Sequence, residues 1–167
     1  DIMHNSGLIN LNILDVGWKR NAGRIFYSSS ACIYPEYNQK DPLHPTTAEH
    51  TAYPANPDSD YGWEKLFSER LYLAYHRNKG MDVRIARFHN IYGPEGTWDG
   101  GREKAPAAIC RKVAKAKNDS FIEIWGDGKQ TRSFCYIDDL IRGIVLLIEK
   151  EYHLPVNLGN PVEFTVI

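Results

Sequence analysis

Arg24-Ile25-Phe26-Tyr27-Ser28 is a short apolar stretch that predicts a buried β-strand, and two further serines, Ser29 and Ser30, follow it directly. Other elements are predicted on both sides of this stretch: helices over 5–18, 60–79, 104–117 and 139–150, strands over 82–88, 121–125 and 155–159, and extended chain over 131–136. Strands that alternate with helices favour an α/β fold with a mainly parallel sheet.

Composition narrows the range of functions. The net charge of −1 over 167 residues gives no broad attraction to nucleic acid or membranes, and no apolar run has a transmembrane length. The three cysteines form no close pair and no histidine lies at ligand spacing from them, so neither a zinc site nor any other metal site is predicted. Free thiols favour a reducing, cytoplasmic setting.

The pair Tyr61 and Lys65 opens the predicted helix 60–79. Residues four apart lie on one helix face, so we expect the ammonium to favour the phenolate and to lower the pKa of Tyr61. Ser30 follows the strand at its carboxyl end, where open parallel sheets bind ligands. Together Ser30, Tyr61 and Lys65 predict a proton-transfer site beside a nicotinamide.

Four blocks of sequence then carry a resemblance to a known family. They are Tyr27–Pro35, Tyr61–Lys65, Arg87–Pro94, and Gly126–Phe134 followed by Asp138-Asp139. In these blocks the chain resembles the extended short-chain dehydrogenase/reductases, which bind NAD or NADP and act on nucleotide-sugars. The resemblance implies that this chain is the C-terminal part of a Rossmann-like parallel sheet plus part of a small α/β substrate-binding region.

The resemblance also assigns roles to residues. Ser30 would orient the sugar, Tyr61 would remove the proton at C4, and Lys65 would hold the nicotinamide ribose. The remaining implied contacts are Ser29 to the cofactor and Asn90, Gln130 and Arg132 to the substrate. For Arg132 the chemistry is reasonable, because a guanidinium can bind a diphosphate through two hydrogen bonds.

Two further residues narrow the expected reaction. Cys32 would face the same side as Ser30 if the extended geometry continued past the strand. Lys104 places a cation at the start of a predicted helix, against the helix dipole. Its surroundings, Gly93–Trp98 and Gly100–Ala108, resemble the GDP-mannose 3,5-epimerases of the family. That likeness implies GDP-mannose as substrate, with Cys32 and Lys104 as acid and base and Glu103 as a substrate contact.

Three alternatives to this reaction stay open. A GDP-fucose synthase would pair its cysteine with a histidine, whereas Lys104 stands in the second acid/base motif here and His89 is expected to support a loop. A UDP-sugar 4-epimerase would need neither Cys32 nor Lys104. A catalytically silent sugar-nucleotide-binding fragment would bind the substrate without turning it over.

The domain organisation expected from the sequence has four parts. Residues 1–88 are the second half of a Rossmann-like domain, 89–130 a substrate-binding region, 131–160 a return to the Rossmann-like sheet, and 161–167 the truncated start of a C-terminal segment. The sequence contains no glycine-rich turn after a strand to hold a dinucleotide. We therefore expect a fragment of a longer enzyme, and by family analogy a homodimer.

Overall fold

The computed structural model describes residues 1–40, 47–118, 120–124, 128 and 131–165. The helices are α1 (Ile2–Lys19), α2 (Glu36–Lys40), α3 (Asp60–Lys79), α4 (Ala105–Lys115) and α5 (Ile137–Glu149). The strands are β1 (Ile25–Ser30), β2 (Val83–Phe88), β3 (Ile91–Tyr92), β4 (Thr131–Ser133), β5 (Cys135–Tyr136), β6 (Val156–Leu158) and β7 (Glu163–Thr165). The chain divides into two compact units, residues 1–88 with 142–158 and residues 89–141 with 159–167.

A parallel sheet in the order β1-β2-β6 forms the centre of the first unit. Ser30 pairs with Phe88, and Phe88 pairs with Leu158, so all three strands end at the same edge. This confirms the predicted α/β class and its parallel strands. It also gives the first unit one carboxyl edge, at which Ser30 is the last residue of β1.

Helix α1 packs against α3, and α3 packs against this sheet. The buried apolar cluster between them consists of Leu14, Tyr27, Tyr72, Met81, Val83 and Ile85. Helix α3 has the bounds that the sequence predicts: Ser59 caps its start, and Gly80 ends it with a left-handed φ of 68°. Helix α1 begins earlier than the predicted 5–18, because the Asp1 side chain caps its N-terminus.

A buried polar network also holds the first unit together; its members are Ser29, Tyr34, Glu69, Arg87 and Asn157. Arg87 on β2 binds Glu69 on α3 through two hydrogen bonds of 2.8 and 2.9 Å. It also donates to the Tyr34 hydroxyl, which in turn donates to the Asn157 side chain at 2.6 Å. The network therefore ties β1, β2, β6 and α3 together beneath the carboxyl edge of the sheet.

The second unit is built from shorter elements. Strands β3 and β5 pair in parallel, and β4 pairs with β7 in antiparallel orientation. The predicted extended chain over 131–136 is present as β4 and β5. The strand predicted over 121–125 is not formed by residues 121–124, and Trp125 lies outside the described residues. Helix α4 is two residues shorter at its C-terminal end than the predicted 104–117.

The division into units also differs from the expected organisation at both ends of the return segment. The first unit ends at Phe88, where the sequence also places a boundary, but the chain re-enters it at Arg142 and leaves at Leu158. The return segment is therefore shorter than the expected 131–160. Across the described ranges, no helix combines the length and apolar character needed to cross a membrane. The same ranges hold no group of three or more His, Cys, Asp or Glu side chains arranged to hold a metal ion.

Candidate active site

Ser30 lies where β1 changes into a 3-10 helix formed by Ala31–Ile33. Its side-chain oxygen accepts a hydrogen bond from the Cys32 backbone N–H at 3.2 Å, which caps this helix. A serine hydroxyl that bonds to the backbone two residues later commonly ends a strand in this way. The strand end thus presents Ser30 half-buried at the carboxyl edge.

Tyr61 and Lys65 occupy the first two turns of α3, and the structure brings them to the same place as Ser30. The Lys65 ammonium lies 5.6 Å from the centre of the Tyr61 ring and 5.0 Å from that of Tyr27. It donates a hydrogen bond to the Ser28 carbonyl at 3.0 Å, which ties α3 to β1. An ammonium has three donors, and among the described residues Lys65 uses one of them, so two N–H groups are available to a ligand there.

The expected lowering of the Tyr61 pKa is wrong. Partial burial of the phenol raises its pKa, a hydrogen bond with Ser30 partly offsets this, and the nearby Cys32 and Glu64 add to the increase. Lys65 is directed at the Ser28 carbonyl and at ring faces, so its charge does not dominate the phenolic oxygen. At neutral pH the phenol of the chain alone is protonated.

Cys32 is exposed and lies beside Tyr61, but it reaches that position by a different route from the one expected. The chain turns into the 3-10 helix after Ser30, so the alternation of an extended strand does not place the thiol. Instead Gly62 packs against the Cys32 carbonyl oxygen so closely that a Cβ at Gly62 would overlap it; that Cβ would also lie 2.8 Å from Pro57. The missing side chain of Gly62 lets the start of α3 dock on the turn that carries Cys32.

Ser29 lies in the interior, unlike Ser30. Its side chain is 3% exposed, and its hydroxyl donates to Glu69 at 2.5 Å within the buried polar network. A cofactor contact by Ser29 stays a prediction, and the hydroxyl would have to leave Glu69 to make it.

In the second unit, Asn90 and Lys104 are exposed. Asn90 has a left-handed φ of 42°, and its carbonyl accepts a hydrogen bond from the Cys135 N–H at 3.1 Å, which joins β3 to β5. Lys104 is the N-cap of α4, and its ammonium makes no hydrogen bond to the part of the chain that the structure describes. Gln130 lies outside the described residues.

A cavity of about 450 Å³ lies next to Lys104, within the second unit. Its charged lining residues are Glu103, Arg111, Lys112, Glu123 and Arg132, and its apolar ones are Ala105, Ala108, Ile109 and Ile124. The cavity thus combines apolar walls with three cationic and two anionic side chains, a lining suited to an anionic organic ligand. Glu103 and Arg132 are predicted site residues that line it.

Arg111 and Lys112 are the lining cations that the sequence reasoning missed. Arg111 could have been predicted from the sequence, because it lies seven residues after Lys104 and residues at this spacing share one face of a helix. Lys112 donates to the Glu123 carbonyl at 2.6 Å, a contact between distant residues for which the sequence gives no signal.

Comparison with known proteins places the chain in a family. The model of the NAD dependent epimerase/dehydratase family matches residues 1–159. The chain belongs to this family. In the first unit, the residues that the family resemblance pointed to, Ser30, Tyr61 and Lys65, are also the residues that the fold brings together.

One curated member of the family is similar to almost the whole chain. GDP-mannose 3,5-epimerase from Arabidopsis thaliana is 48% identical over 159 residues, which are 95% of this chain and 42% of that protein. The chain therefore spans about two fifths of the length of this curated relative.

Solved structures share the fold. A UDP-glucuronic acid 4-epimerase from Bacillus cereus superimposes with a TM-score of 0.75 at 26% identity, covering 95% of this chain and 47% of that one. A GDP-D-glycero-L-gluco-heptose synthase from Campylobacter jejuni gives a TM-score of 0.82 at 19% identity, covering 99% and 60%. At that identity the second likeness shows the fold alone.

Proposed function

We propose that the protein carrying this chain is an NAD-dependent nucleotide-sugar epimerase that converts GDP-mannose at C3 and C5. The observation that carries the proposal is the exposed Cys32 thiol beside Tyr61, at the strand end that holds Ser30. A 4-epimerase has no use for a second acid/base group next to its tyrosine. The 48% identity to a GDP-mannose 3,5-epimerase supports the same reaction.

The residues present fit a nicotinamide nucleotide at the carboxyl edge of the sheet. Lys65 has N–H groups left for ribose hydroxyls, and Tyr61 lies beside it on the same helix face. NAD, when bound, supplies reversible hydride transfer at the sugar C4. The same residues would accept NADP, since both cofactors carry the same nicotinamide ribose.

The first half of the proposed reaction uses Ser30 and Tyr61. Ser30 orients the C4 hydroxyl, and Tyr61 takes its proton while C4 loses hydride and becomes a ketone. Because its pKa is raised, Tyr61 must lose its own proton before this step; its phenolate then takes the O4 proton, and the phenol so formed returns that proton to O4 when C4 is reduced again. Positioned acid/base groups of this kind contribute about 10²–10⁴-fold in rate.

The second half uses Cys32 and Lys104. The C4 ketone acidifies the hydrogens on C3 and C5, so a thiolate or an amine can remove them. We propose that one of the two groups removes a proton from carbon and the other delivers one, after which C4 is reduced again. We propose that four further residues contact the sugar nucleotide: Asn90, Glu103, Gln130 and Arg132. Two of them, Glu103 and Arg132, line the cavity of the second unit.

We also propose that the protein is a cytoplasmic homodimer. All three cysteines are free, which suits a reducing compartment. Helices α1 and α3 expose apolar side chains that a second copy would cover; these are Ile2, Ile9, Ile13, Val16, Trp63 and Phe67. Light scattering on the full-length protein would detect the dimer, and a monomer at micromolar concentration would contradict it.

Product analysis tests the proposed reaction. The full-length protein is incubated with NAD and GDP-mannose, and we expect GDP-L-galactose to form. Cys32→Ala should abolish product formation, whereas Cys110→Ala, which removes an exposed thiol on α4, should not. Formation of a C4 epimer alone would favour a 4-epimerase, and substrate binding without turnover would favour a silent binding module. Reduction of a 4-keto-6-deoxy sugar nucleotide by NADPH, in a separate incubation, would favour a fucose synthase.

A further inference from the structure

The backbone just before Lys104 adopts a conformation that requires stabilising contacts. Gly100 and Gly101 both have left-handed φ values, 96° and 82°. Glycine tolerates this conformation but loses more conformational freedom on folding than any other residue. Lys104, the N-cap of α4, follows this pair by three residues, so the glycine pair sets the path along which the chain enters α4.

Two carboxylates hold the N–H groups of these glycines. Asp99 accepts from the Gly100 N–H at 2.9 Å, and Glu103 accepts from the Gly101 N–H at 2.7 Å. These are charge-assisted hydrogen bonds, which are stronger than bonds between neutral groups. The conformation of the loop 99–103 therefore depends on where the two carboxylates are held.

Arg111 on α4 binds both carboxylates. One terminal nitrogen lies 2.5 Å from Glu103 and the other 3.4 Å from Asp99. Lys115, one turn further along α4, makes a contact of the same length, 3.4 Å, to Asp99. We call this group, Asp99, Glu103 and Arg111 with the two glycines, the loop clamp.

The loop clamp is more than a pair of exposed side chains. The Glu103 side chain is only 8% exposed and that of Arg111 only 22%. The Arg111 Nε is buried and has no hydrogen-bond partner within the described ranges, so both terminal nitrogens rather than Nε carry the contacts. Only a forked guanidinium can hold two carboxylates at once; a lysine ammonium in the same place is a single point charge.

We propose that Arg111 is a positioning residue for Lys104. It fixes the loop 99–103 on α4, and the loop in turn fixes where Lys104 begins the helix. The inference rests on the proposed function, in which Lys104 exchanges a proton with the sugar. Proton transfer to carbon depends on close placement, and a displacement of about 1 Å can cost about 10²-fold in rate.

The first test measures how well the loop 99–103 is held, and it needs no activity assay. Amide hydrogen exchange of Gly100 and Gly101 is compared in the full-length wild-type protein, Arg111→Gln and Arg111→Lys. Exchange should be faster in both variants, because neither side chain can bridge two carboxylates. Arg77→Gln, which removes an exposed arginine from α3, is the matched control and should leave it unchanged. Unchanged exchange in both Arg111 variants would overturn the clamp.

The second test measures proton transfer by Lys104. Wild type and variants turn over GDP-mannose in D₂O, and we expect the rate of deuterium incorporation at C3 or C5 to fall about 10- to 100-fold in both Arg111 variants, with KM nearly unchanged. A raised KM that Arg111→Lys restores would instead make Arg111 a direct substrate contact. Asp99→Asn, a change at a half-exposed side chain, should give a smaller loss in the same direction and serves if Arg111→Gln does not fold.

The two tests separate failure of this inference from failure of the proposed function. If the wild type incorporates no deuterium, Lys104 has no catalytic role and Arg111 has no positioning role. The amide exchange of Gly100 and Gly101 would still decide whether the loop clamp exists. Faster amide exchange together with wild-type deuterium incorporation would overturn the positioning role alone.

Discussion

Two arginine–glutamate pairs use the same chemistry in different surroundings. Arg87 and Glu69 in the first unit have side chains only 3% and 2% exposed, and lie in a network that links three strands to α3. Arg111 and Glu103 in the second unit hold a surface loop, and Arg111 is 22% exposed. We infer that the first pair maintains the fold beneath the carboxyl edge, and that the second maintains the geometry of a loop.

The largest expected effect comes from breaking the buried pair. Removing one partner leaves the other as an uncompensated buried charge, which costs about 3–5 kcal/mol. We expect Arg87→Gln to lower the free energy of unfolding by this amount in urea denaturation. Arg111→Gln, the matched change in the second unit, should cost at most about 1 kcal/mol, because partly exposed pairs contribute little. Equal losses of unfolding free energy in the two variants would contradict the difference between the buried pair and the partly exposed pair.

Close packing in the first unit gives the next effect. Gly62→Ala places a methyl group against the Cys32 carbonyl and Pro57, and overpacking of this kind typically costs about 1–3 kcal/mol. Gly7→Ala in α1 meets no atom within 4 Å and should raise stability by up to about 1 kcal/mol through helix propensity. Chemical denaturation of both variants distinguishes packing from propensity, since propensity alone predicts stabilisation at both sites.

Alkaline pH should weaken the first unit. Burial raises the pKa of Tyr72 to about 12, and nearby Glu64 adds to the increase. A tyrosine pKa raised on folding gives stability that is present below the unfolded value of about 10 and is lost as the pH rises from there to the folded value. In that window we expect the free energy of unfolding to fall more steeply in the wild type than in Tyr72→Phe, by about 1.4 kcal/mol per pH unit.

The control for this prediction is Tyr152→Phe, which changes an exposed tyrosine. Its alkaline profile should follow that of the wild type. Parallel profiles for Tyr72→Phe and wild type would show that Tyr72 titrates normally in the folded state.

The smallest effect is expected at acid pH in the loop clamp. Backbone hydrogen bonds are the largest cause that lowers the pKa of Asp99 and Glu103, and Arg111 lowers both further. Their contribution is present above the unfolded values of about 3.9 and 4.3 and is lost as the pH falls through the lower folded values. The Gly100 and Gly101 amide resonances should shift at a pH below those unfolded values. The same titration in Arg111→Gln should move to higher pH; an identical curve would exclude a role for Arg111.

Local patterns allowed much of the fold to be predicted. The apolar strand before Ser29, the helix over 60–79, and the spacing of Tyr61 and Lys65 depend on a few neighbouring residues, and the structure agrees with each. The strand predicted over 121–125 rests on apolar residues alone and is not formed by the described residues 121–124, because a strand also needs a partner.

Properties that depend on contacts between distant residues could not be predicted from the sequence. The pKa of Tyr61 is set by burial among residues far apart in the chain, so its direction could not be read from Lys65 alone. The turn at Cys32 is held by hydrogen bonds from the Cys32 N–H to Ser30 and from the Tyr34 N–H to the Ala31 carbonyl, and Cys32 packs against Gly62, thirty residues away in the chain. Ser29 and Ser30 are chemically identical in sequence, and only the fold separates the buried hydroxyl from the one at the edge.

The central claim, that Cys32 exchanges protons at carbon, is tested most directly by deuterium incorporation from D₂O. The full-length protein is incubated with GDP-mannose and NAD, and NMR or mass spectrometry locates deuterium in the recovered sugar. We predict incorporation at C3 and C5 in the wild type and in Cys110→Ala, and none in Cys32→Ala even though that variant folds. Wild-type incorporation in Cys32→Ala would contradict the account.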